Sequence, residues 1–273
     1  MINTFFYQNT LISYRDSGKG QIVVLLHGFG EDKSIFNRQV EFLKDHCRLI
    51  VPDLPGSGDS VYSSYLVTDE IKLLSSIERM ADCMAALIQS ITSEPFILLG
   101  HSMGGYITLA IAEKYPERLK AFGLLHSTAF ADSEEKKENR RKSISFIQQH
   151  GAYPFLQAAI PGLFAEGYQK TNAPEVAVLV QNGIQFASVV LVAYYEAMID
   201  RPDRTHVLRG SKTPVLFVLG TEDKAAPMKD LLKQVHLPDV SYFHILKDTG
   251  HMGMLEATQE FNLHISKFIS DID

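Results

Sequence analysis

The stretch from Phe96 to Tyr106 constrains the fold of this chain most strongly, because an apolar run turns directly into the start of a helix. At the turn the chain reads Gly-His-Ser-Met-Gly, with Ser102 at the centre. Such a sharp reversal forces the central residue into strained backbone geometry, and the flanking glycines let the strand and the helix approach each other. The turn also places the hydroxyl of Ser102 beside the free N–H groups of the new helix, which favour negative charge. Ser102 is therefore a candidate nucleophile.

Strand-like and helical patterns alternate on both sides of this turn. Short apolar or alternating segments predict eight strands, at residues 4–7, 10–16, 22–26, 48–51, 96–99, 119–125, 215–219 and 240–246. Helical spacing of apolar residues fills most of the intervals between them, as at 33–44 and 69–91. Repeated strand–helix units predict an α/β fold with a mostly parallel eight-stranded sheet and helices on both faces. In such sheets, residues that directly follow strands lie at the edge where ligands bind.

The alternation breaks between residues 128 and 208, where only helical patterns follow one another. This segment predicts a helical cap, inserted into a core that consists of residues 1–127 and 209–273. A charged run from Asp132 to Arg141 opens the insertion, and its mixed signs at helical spacing favour a solvated helix face. Apolar cap residues are either pocket walls or the cap's own core, because helices this apolar need burial. The pocket candidates include Tyr153, Phe155, Phe164 and Tyr195.

A serine nucleophile needs a base that takes its proton and a third group that orients the base. Of ten histidines, His251 fits best, because it follows the last predicted strand in a glycine-flanked loop. Asp223 follows the strand before that one and is the predicted acid, with Glu222 as its nearest rival. Asp248 stands only three residues before His251 and is expected to shape that turn instead. The chain order Ser102, Asp223, His251 is typical of α/β-hydrolases.

Attack on a carbonyl creates an oxyanion, which preorganised N–H groups stabilise. The backbone amide that follows the nucleophile belongs to Met103, and the loop His27-Gly-Phe-Gly offers the amide of Phe29. His27 and His126 end strands at the same predicted edge and are candidates for contact with a substrate, although a structural role is the competing interpretation for each. His101 is expected to support the turn by packing or hydrogen bonding.

Composition excludes several other classes of function. The formal charge is −6 and the isoelectric point is about 5.9, which argues against nucleic acid as a partner. Cys47 and Cys83 stand on separate predicted core elements and suggest reduced, packed thiols, without a clustered metal site. The first residues lack the pattern of a signal peptide, and no apolar run reaches the roughly 20 residues that cross a bilayer. We therefore expect a cytoplasmic protein with neither a metal nor an organic cofactor, and we leave its oligomeric state open.

Five motifs in this order resemble the α/β-hydrolase superfamily, close to the capped esterases, lactonases, C–C bond hydrolases and proline iminopeptidases. The motifs are His27-Gly-Phe-Gly, the loop at residues 53–60, the turn around Ser102, Gly220-Thr-Glu-Asp and Gly250-His. The resemblance implies an α/β-hydrolase fold with a helical cap over the active site. A serine at the nucleophile position disfavours dehalogenases and epoxide hydrolases, which attack with a carboxylate, and the absence of tryptophan further disfavours dehalogenases.

The leading hypothesis is a serine hydrolase that cleaves a small ester or related acyl compound through an acyl-enzyme. The same three residues could support C–C bond hydrolysis or aminopeptidase activity, the latter with acidic cap residues such as Glu166 or Glu196 meeting a substrate amine. A small-molecule receptor on a hydrolase fold is an alternative from a different class, and turnover distinguishes it from an enzyme.

Overall fold

The computed structural model describes residues 2–60 and 68–272. One sheet contains the strands β1 Ile2–Tyr7, β2 Thr10–Ser17, β3 Ile22–Leu26, β4 Arg48–Pro52, β5 Phe96–His101, β6 Leu119–Leu125, β7 Val215–Gly220 and β8 Ser241–Leu246. Their spatial order is β1-β2-β4-β3-β5-β6-β7-β8. Only the pairings β1–β2 and β2–β4 are antiparallel, and the five others are parallel. The predicted mostly parallel eight-stranded α/β sheet is confirmed.

Thirteen α-helices are described around this sheet. The helices before β7 are α1 Asn37–Leu43, α2 Thr68–Leu74, α3 Ile77–Ile91, α4 Met103–Lys114, α5 Glu134–His150, α6 Ala152–Ala159, α7 Glu166–Thr171, α8 Ala173–Asn182, α9 Ser188–Asp200 and α10 Thr205–Leu208. The remaining helices are α11 Met228–Leu231, α12 Gly253–Glu256 and α13 Thr258–Ile272. Short 3-10 turns lie at Lys33–Phe36, Pro116–Arg118, Ile160–Leu163 and Gly183–Gln185.

The hydrophobic core lies in two layers, one on each face of the sheet. In β3, Val24 and Leu26 face the layer that contains the apolar residues of α3 and α4. Val23 and Leu25 face the opposite layer, which contains apolar residues of α1 and α13. Because successive side chains of a strand point to opposite faces, a strand that is apolar throughout must be covered on both sides. All five residues of β3 are buried accordingly.

Several helices are shorter than their sequence pattern predicts. The apolar spacing over 69–91 is divided into α2 and α3, because the Ser76 side chain caps the second helix by accepting a hydrogen bond of 3.3 Å from the Arg79 amide. The helix predicted over 227–235 is the single turn α11, and the predicted last helix consists of α12 and α13. In each case the apolar spacing continues across a break in the hydrogen-bonded helix.

The predicted cap, residues 128–208, contains α5 to α10 between β6 and β7. The predicted core, 1–127 and 209–273, includes residues 1, 61–67 and 273, which lie outside the described residues. Tyr194 connects the cap to the core, because its hydroxyl donates a hydrogen bond of 2.5 Å to the carbonyl of Pro55. Its side chain is fully buried, so it packs between the cap and the core and does not line a pocket.

The charged run at the start of the cap is only partly solvated. Asp132 is buried, although Glu134, Glu135 and Glu138 are exposed as predicted. The interpretation of the whole run as a solvated face is therefore wrong for Asp132, whose carboxylate lies among arginine side chains.

Both cysteines are buried thiols that form no disulfide bond, as predicted. Among the described helices, none taken singly has the length and apolar character needed to cross a membrane, and one pair passes that test jointly, residues 173–185 with 188–200, bent by 101°.

Candidate active site

Ser102 lies at the end of β5 in strained backbone geometry. Its φ of 50° and ψ of −115° belong to a region that residues with side chains rarely adopt. The two elements meet closely here, since a Cβ atom on Gly100 would lie 2.2 Å from the carbonyl oxygen of Gly104. A Cβ atom on Gly104 would lie 2.3 Å from the carbonyl oxygen of Leu26 in β3. Only glycine fits at these two positions, and the sharp strand-to-helix turn predicted around Ser102 is present.

The loop after β3 packs directly against this turn. A Cβ atom on Gly28 would lie 3.1 Å from the Cβ atom of Ser102. Phe29 follows in this loop, and Met103 is the first residue of α4. Within the described part of the chain, the backbone N–H groups of Phe29 and Met103 have no hydrogen-bond partner. Two free donors beside a candidate nucleophile are what an oxyanion hole requires.

His251 and Asp223 form a buried hydrogen-bonded pair. The Nδ1 atom of His251 lies 2.8 Å from Oδ2 of Asp223. The other oxygen, Oδ1, accepts hydrogen bonds from the amides of Ala225 and Ala226 at 2.9 and 2.8 Å. Burial alone would raise the pKa of Asp223, but His251 and hydrogen bonds from His251 and His126 outweigh burial and hold this pKa well below its usual range. Asp223 is therefore an ionised acceptor that fixes the orientation of the His251 ring.

The rival acids lie elsewhere. Glu222 is exposed to solvent, one residue before the buried Asp223. Asp248 is also exposed and has a φ of 52°, so it shapes the turn before His251, as expected.

Ser102 and His251 line one cavity without a direct hydrogen bond between them. Catalytic hydrogen bonds are often long in the absence of substrate.

His126 shares the carboxylate of Asp223 with His251. Its Nδ1 atom lies 3.1 Å from the same Oδ2 atom, and its side chain is fully buried. Burial lowers the pKa of His126 to about 4 despite the nearby carboxylate, so the ring is neutral at pH 7. Its Nε2 atom has no hydrogen-bond partner, and a Cβ atom on Gly253 would lie 2.4 Å from it. His126 thus stands behind the His251–Asp223 pair, away from the cavity.

His101 and Glu31 form a second buried pair. The Nδ1 atom of His101 lies 3.1 Å from Oε2 of Glu31, and its Nε2 atom lies 3.0 Å from the carbonyl oxygen of His251. Because both partners are acceptors, both ring nitrogens carry protons. Burial opposes this charge, but Glu31 outweighs it and raises the pKa of His101. Burial likewise opposes the charge of Glu31, but His101 and the Gly28 amide lower the pKa of Glu31.

His101 supports the site as expected, and Glu31 is a supporting residue that the sequence analysis missed. A carboxylate two residues after Phe29 was the available signal.

Glu256 is another residue that the sequence analysis missed. Its carboxylate accepts hydrogen bonds from the amides of Gly250, Met252 and Ala165, at 2.8 to 3.1 Å. Burial raises its pKa despite these bonds. The amide of His251 also donates to the carbonyl of Leu163, at 2.7 Å. The loop that carries His251 is therefore hydrogen-bonded to the cap at Leu163, and Glu256 connects it to Ala165.

One group of side chains has the spacing of metal ligands. Potential ligand atoms of His126, Asp223 and His251 lie within 4.8 Å of one another. The two histidines bond Asp223 at hydrogen-bond distances, so a cation would compete with the orientation of His251.

A cavity of about 460 Å³ lies between the cap and the sheet edge, and Ser102, His251, Phe29, Tyr195, Arg140 and Lys136 belong to its wall. Of the substrate-contact candidates, Tyr195 lines this cavity. Phe155 packs edge-on against Tyr195 with their ring centroids 5.8 Å apart, as a layer behind that wall.

Four other substrate-contact candidates lie outside this wall. His27 is fully buried, where its Nδ1 atom donates to the carbonyl of Gly28 and its Nε2 atom accepts from the amide of Leu54. Phe164 is buried and stacked on Tyr168. Tyr153 and His126 do not line the cavity either. None of these four residues is part of the cavity wall, and their contact with a substrate stays a prediction.

This fold and this edge define a class of enzymes, in which a serine, a histidine and an aspartate follow separate strands of a mostly parallel sheet. A model of the alpha/beta hydrolase family matches residues 23–262. The chain belongs to the alpha/beta hydrolase family.

Several curated relatives of this chain are named as lipases, esterases or other hydrolases. Lipase 3 of Moraxella sp. (strain TA144) is 25% identical over 264 residues, which cover 90% of this chain and 76% of that protein. The 2-hydroxy-6-oxo-6-phenylhexa-2,4-dienoate hydrolase of Comamonas testosteroni is 27% identical, over 92% of this chain and 88% of its own.

Solved structures agree with the fold. A malate-bound thermophilic esterase from Thermogutta terrifontis is 27% identical with a TM-score of 0.89, covering 100% of this chain and 99% of its own. An enol-lactonase from Burkholderia xenovorans has a TM-score of 0.87 at 21% identity, over 98% and 100% of the two chains. At that lower identity, the likeness bears on the fold alone.

Proposed function

We propose that this chain is a serine hydrolase that cleaves a small carboxylic ester or related acyl compound, with Ser102 as nucleophile, His251 as base and Asp223 as the orienting acid. The observation that carries this proposal is the buried hydrogen bond of 2.8 Å between His251 and Asp223, with His251 lining the same cavity as Ser102. The esterase and lipase names of several relatives support the same reaction class.

We propose the following course for the reaction. The Oγ atom of Ser102 attacks the acyl carbonyl while Nε2 of His251 takes the hydroxyl proton. The Nδ1–H group of His251 donates a hydrogen bond to Asp223, so Nε2 is the nitrogen that accepts the proton of Ser102. The oxyanion accepts hydrogen bonds from the amides of Phe29 and Met103, each worth roughly 3–4 kcal/mol in the transition state. His251 then returns the proton to the leaving alcohol, and water releases the acyl group by the same steps.

The test is hydrolysis of p-nitrophenyl esters from acetyl to decanoyl, together with labelling by a fluorophosphonate. We expect Ser102→Ala to abolish labelling and to lower kcat by roughly a million-fold, since the nucleophile and base act as one unit. Ser145→Ala is the matched control, because that serine lies on the outer part of α5 and donates to the backbone at Arg141. Full activity in Ser102→Ala would exclude this assignment.

A second candidate is hydrolysis of a C–C bond in a dienoic ketone, which the same three groups can support. The relative from Comamonas testosteroni, 27% identical, is named for that chemistry. Turnover of 2-hydroxy-6-oxo-6-phenylhexa-2,4-dienoate without turnover of any ester would favour this candidate. Aminopeptidase activity is less favoured, because Glu166 and Glu196 are exposed and neither lines the cavity. Labelling of Ser102 without turnover of any of these substrates would indicate a receptor.

A further inference from the structure

An excess of positive charge surrounds one buried carboxylate at the base of the cap. Asp132 accepts a hydrogen bond of 2.5 Å from Nε of Arg140 and one of 2.9 Å from Arg201. The Nζ atom of Lys136 lies 3.9 Å away. Burial opposes ionisation, but the two arginines outweigh it and lower the pKa of Asp132 to about 2. One full negative charge thus meets three positive charges.

These three cations differ in how their donors are used. Arg201 donates to the carbonyls of Met198 and Phe130 as well as to Asp132, and its guanidinium lies 3.8 Å from the ring centroid of Tyr106. Lys136 donates to the carbonyl of Ala225. In the described part of the chain, Arg140 donates a hydrogen bond through its Nε atom alone.

Among residues 2–60 and 71–272, whose side chains the structure describes, the two terminal nitrogens of Arg140 have no hydrogen-bond partner. The side chain is only 13% exposed, and it lines the cavity that contains Ser102. A guanidinium that is largely withdrawn from water gains most from a planar anion that accepts two hydrogen bonds.

The carboxylates that line this cavity do not neutralise Arg140. Glu31 is bonded to His101, and Asp230 is bonded to Lys233 at 2.7 Å. Glu135 is exposed in the first turn of α5 and makes no ion pair with Arg140. The positive charge of Arg140 therefore faces the cavity, and no carboxylate among the described side chains bonds to its terminal nitrogens.

An aromatic wall connects Arg140 to the loop of the proposed oxyanion hole. The guanidinium of Arg140 lies 5.5 Å from the ring centroid of Tyr195. The Tyr195 ring in turn stacks on Phe29, with centroids 4.3 Å apart. A substrate whose reacting carbonyl lies near Ser102 can thus extend along Tyr195 and bring a distant group to Arg140.

We propose that Arg140 binds a carboxylate of the substrate, and that the preferred substrates are esters or related acyl compounds with a carboxylate several bonds from the cleaved bond. This inference rests on the proposed function and names its substrate class. The fork of terminal nitrogens accepts both carboxylate oxygens, and the ring of Tyr195 supports the intervening chain. Neutral substrates leave the two donors of Arg140 buried and unpaired, which costs binding.

The test compares esters that differ in one charge. Mono-p-nitrophenyl adipate and p-nitrophenyl hexanoate have acyl chains of equal length and differ by a terminal carboxylate. The pair 4-acetoxybenzoate and 4-acetoxybenzamide places the same difference on the leaving group. We expect wild-type kcat/KM to favour the anionic member of at least one pair by about tenfold to a hundredfold. We expect Arg140→Met to remove most of that ratio.

Arg141→Met is the matched control. Arg141 follows Arg140 on α5, but its side chain is 51% exposed and pairs with Glu138, so both ratios should remain at the wild-type value. Arg140→Lys keeps a positive charge beside Asp132 and replaces Arg140→Met in the test if that variant does not fold. We expect Arg140→Lys to lower the ratio of kcat/KM between anionic and neutral esters less than Arg140→Met does. The proposal is overturned if wild type shows no preference in either pair, or if the preference survives in both Arg140 variants.

Binding to an inactive variant separates this proposal from the proposed function. Calorimetry with adipate and Ser102→Ala measures carboxylate binding without turnover, and adding Arg140→Met should weaken that binding about tenfold or more. If adipate binding depends on Arg140 but wild type hydrolyses none of the esters, the proposed reaction is excluded and the anion site is retained. If wild type hydrolyses p-nitrophenyl hexanoate and shows no preference for the anionic esters, the anion site is excluded and the proposed reaction is retained.

Discussion

The sheet edge and the cap wall of the same cavity satisfy their polar groups in different ways. At the sheet edge, Asp223 accepts hydrogen bonds on both oxygens, and both nitrogens of His101 have acceptors. At the cap wall, Arg140 keeps two nitrogens without a partner in the described chain. The groups that orient the predicted catalytic residues are paired within the fold, whereas Arg140, the proposed carboxylate-binding group, retains two donors. Chemistry and selectivity should therefore be separable by mutation.

The largest effect is expected at the sheet edge, where Asp223→Asn should lower kcat without changing the preference between substrates. An amide cannot hold the ring of His251 in the same tautomer, so kcat should fall by roughly ten-thousand-fold. Because this loss concerns proton transfer alone, hexanoate and adipate esters should lose activity by the same factor. Steady-state rates on both esters provide the measurement, and the exposed neighbour Glu222→Gln is the control. A selective loss on one ester would contradict the separation of the two regions.

A smaller effect, on stability, is expected from Glu31→Gln. Breaking a buried pair leaves His101 uncompensated and should cost on the order of 3 kcal/mol of unfolding free energy. The raised pKa of His101 contributes stability that is present below the unfolded value near 6.5 and lost as pH rises through the folded value. The lowered pKa of Glu31 contributes stability that is lost as pH falls below about 4.5. The cost should therefore be largest between about pH 4.5 and 6.5.

Denaturant unfolding of wild type and Glu31→Gln at several pH values tests this window. Glu260→Gln is a matched control, because Glu260 lies 3.4 Å from His264 in a pair whose glutamate is exposed. That variant should change stability by less than about 1 kcal/mol. An equal effect of the two substitutions would mean that burial does not strengthen the Glu31–His101 pair.

The smallest effect is expected from His126→Asn. The pKa of His126 is lowered to about 4 in the fold, so the unfolded chain binds more protons between about pH 4 and 6.5. Wild type should therefore lose on the order of 2 kcal/mol of stability from this residue between pH 7 and pH 5. Asparagine tolerates the φ of 51° at this position and should remove that loss. Urea unfolding at the two pH values is the measurement, and the exposed His46→Asn is the control. An unchanged pH dependence would show that His126 is not the titrating group.

The two regions also differ in how far the sequence predicts them. Positions such as Ser102, Asp223 and His251 follow strands directly, so the strand pattern and the glycine-rich turns predict their common edge. The parallel sheet could be predicted for the same reason, since each strand is a short local pattern with its own turn signals.

The cap wall depends on contacts between distant parts of the chain, which no local pattern contains. Within one charged run, the buried Asp132 differs from its exposed neighbours because Arg201, from the far end of the cap, and Arg140 both bond to it. The same limit applies to Glu31, whose importance follows from meeting His101 across 70 positions of sequence.

The bonds of Glu256 have a consequence for building chimeras of this protein. Its carboxylate holds the amide of Ala165, which belongs to the cap, and the amides on either side of His251. A foreign cap joined at residues 128 and 208 would remove the partner at Ala165 and the carbonyl of Leu163 that holds the His251 amide. A transplanted cap must therefore supply an equivalent backbone turn, or it will alter the catalytic rate together with the substrate range.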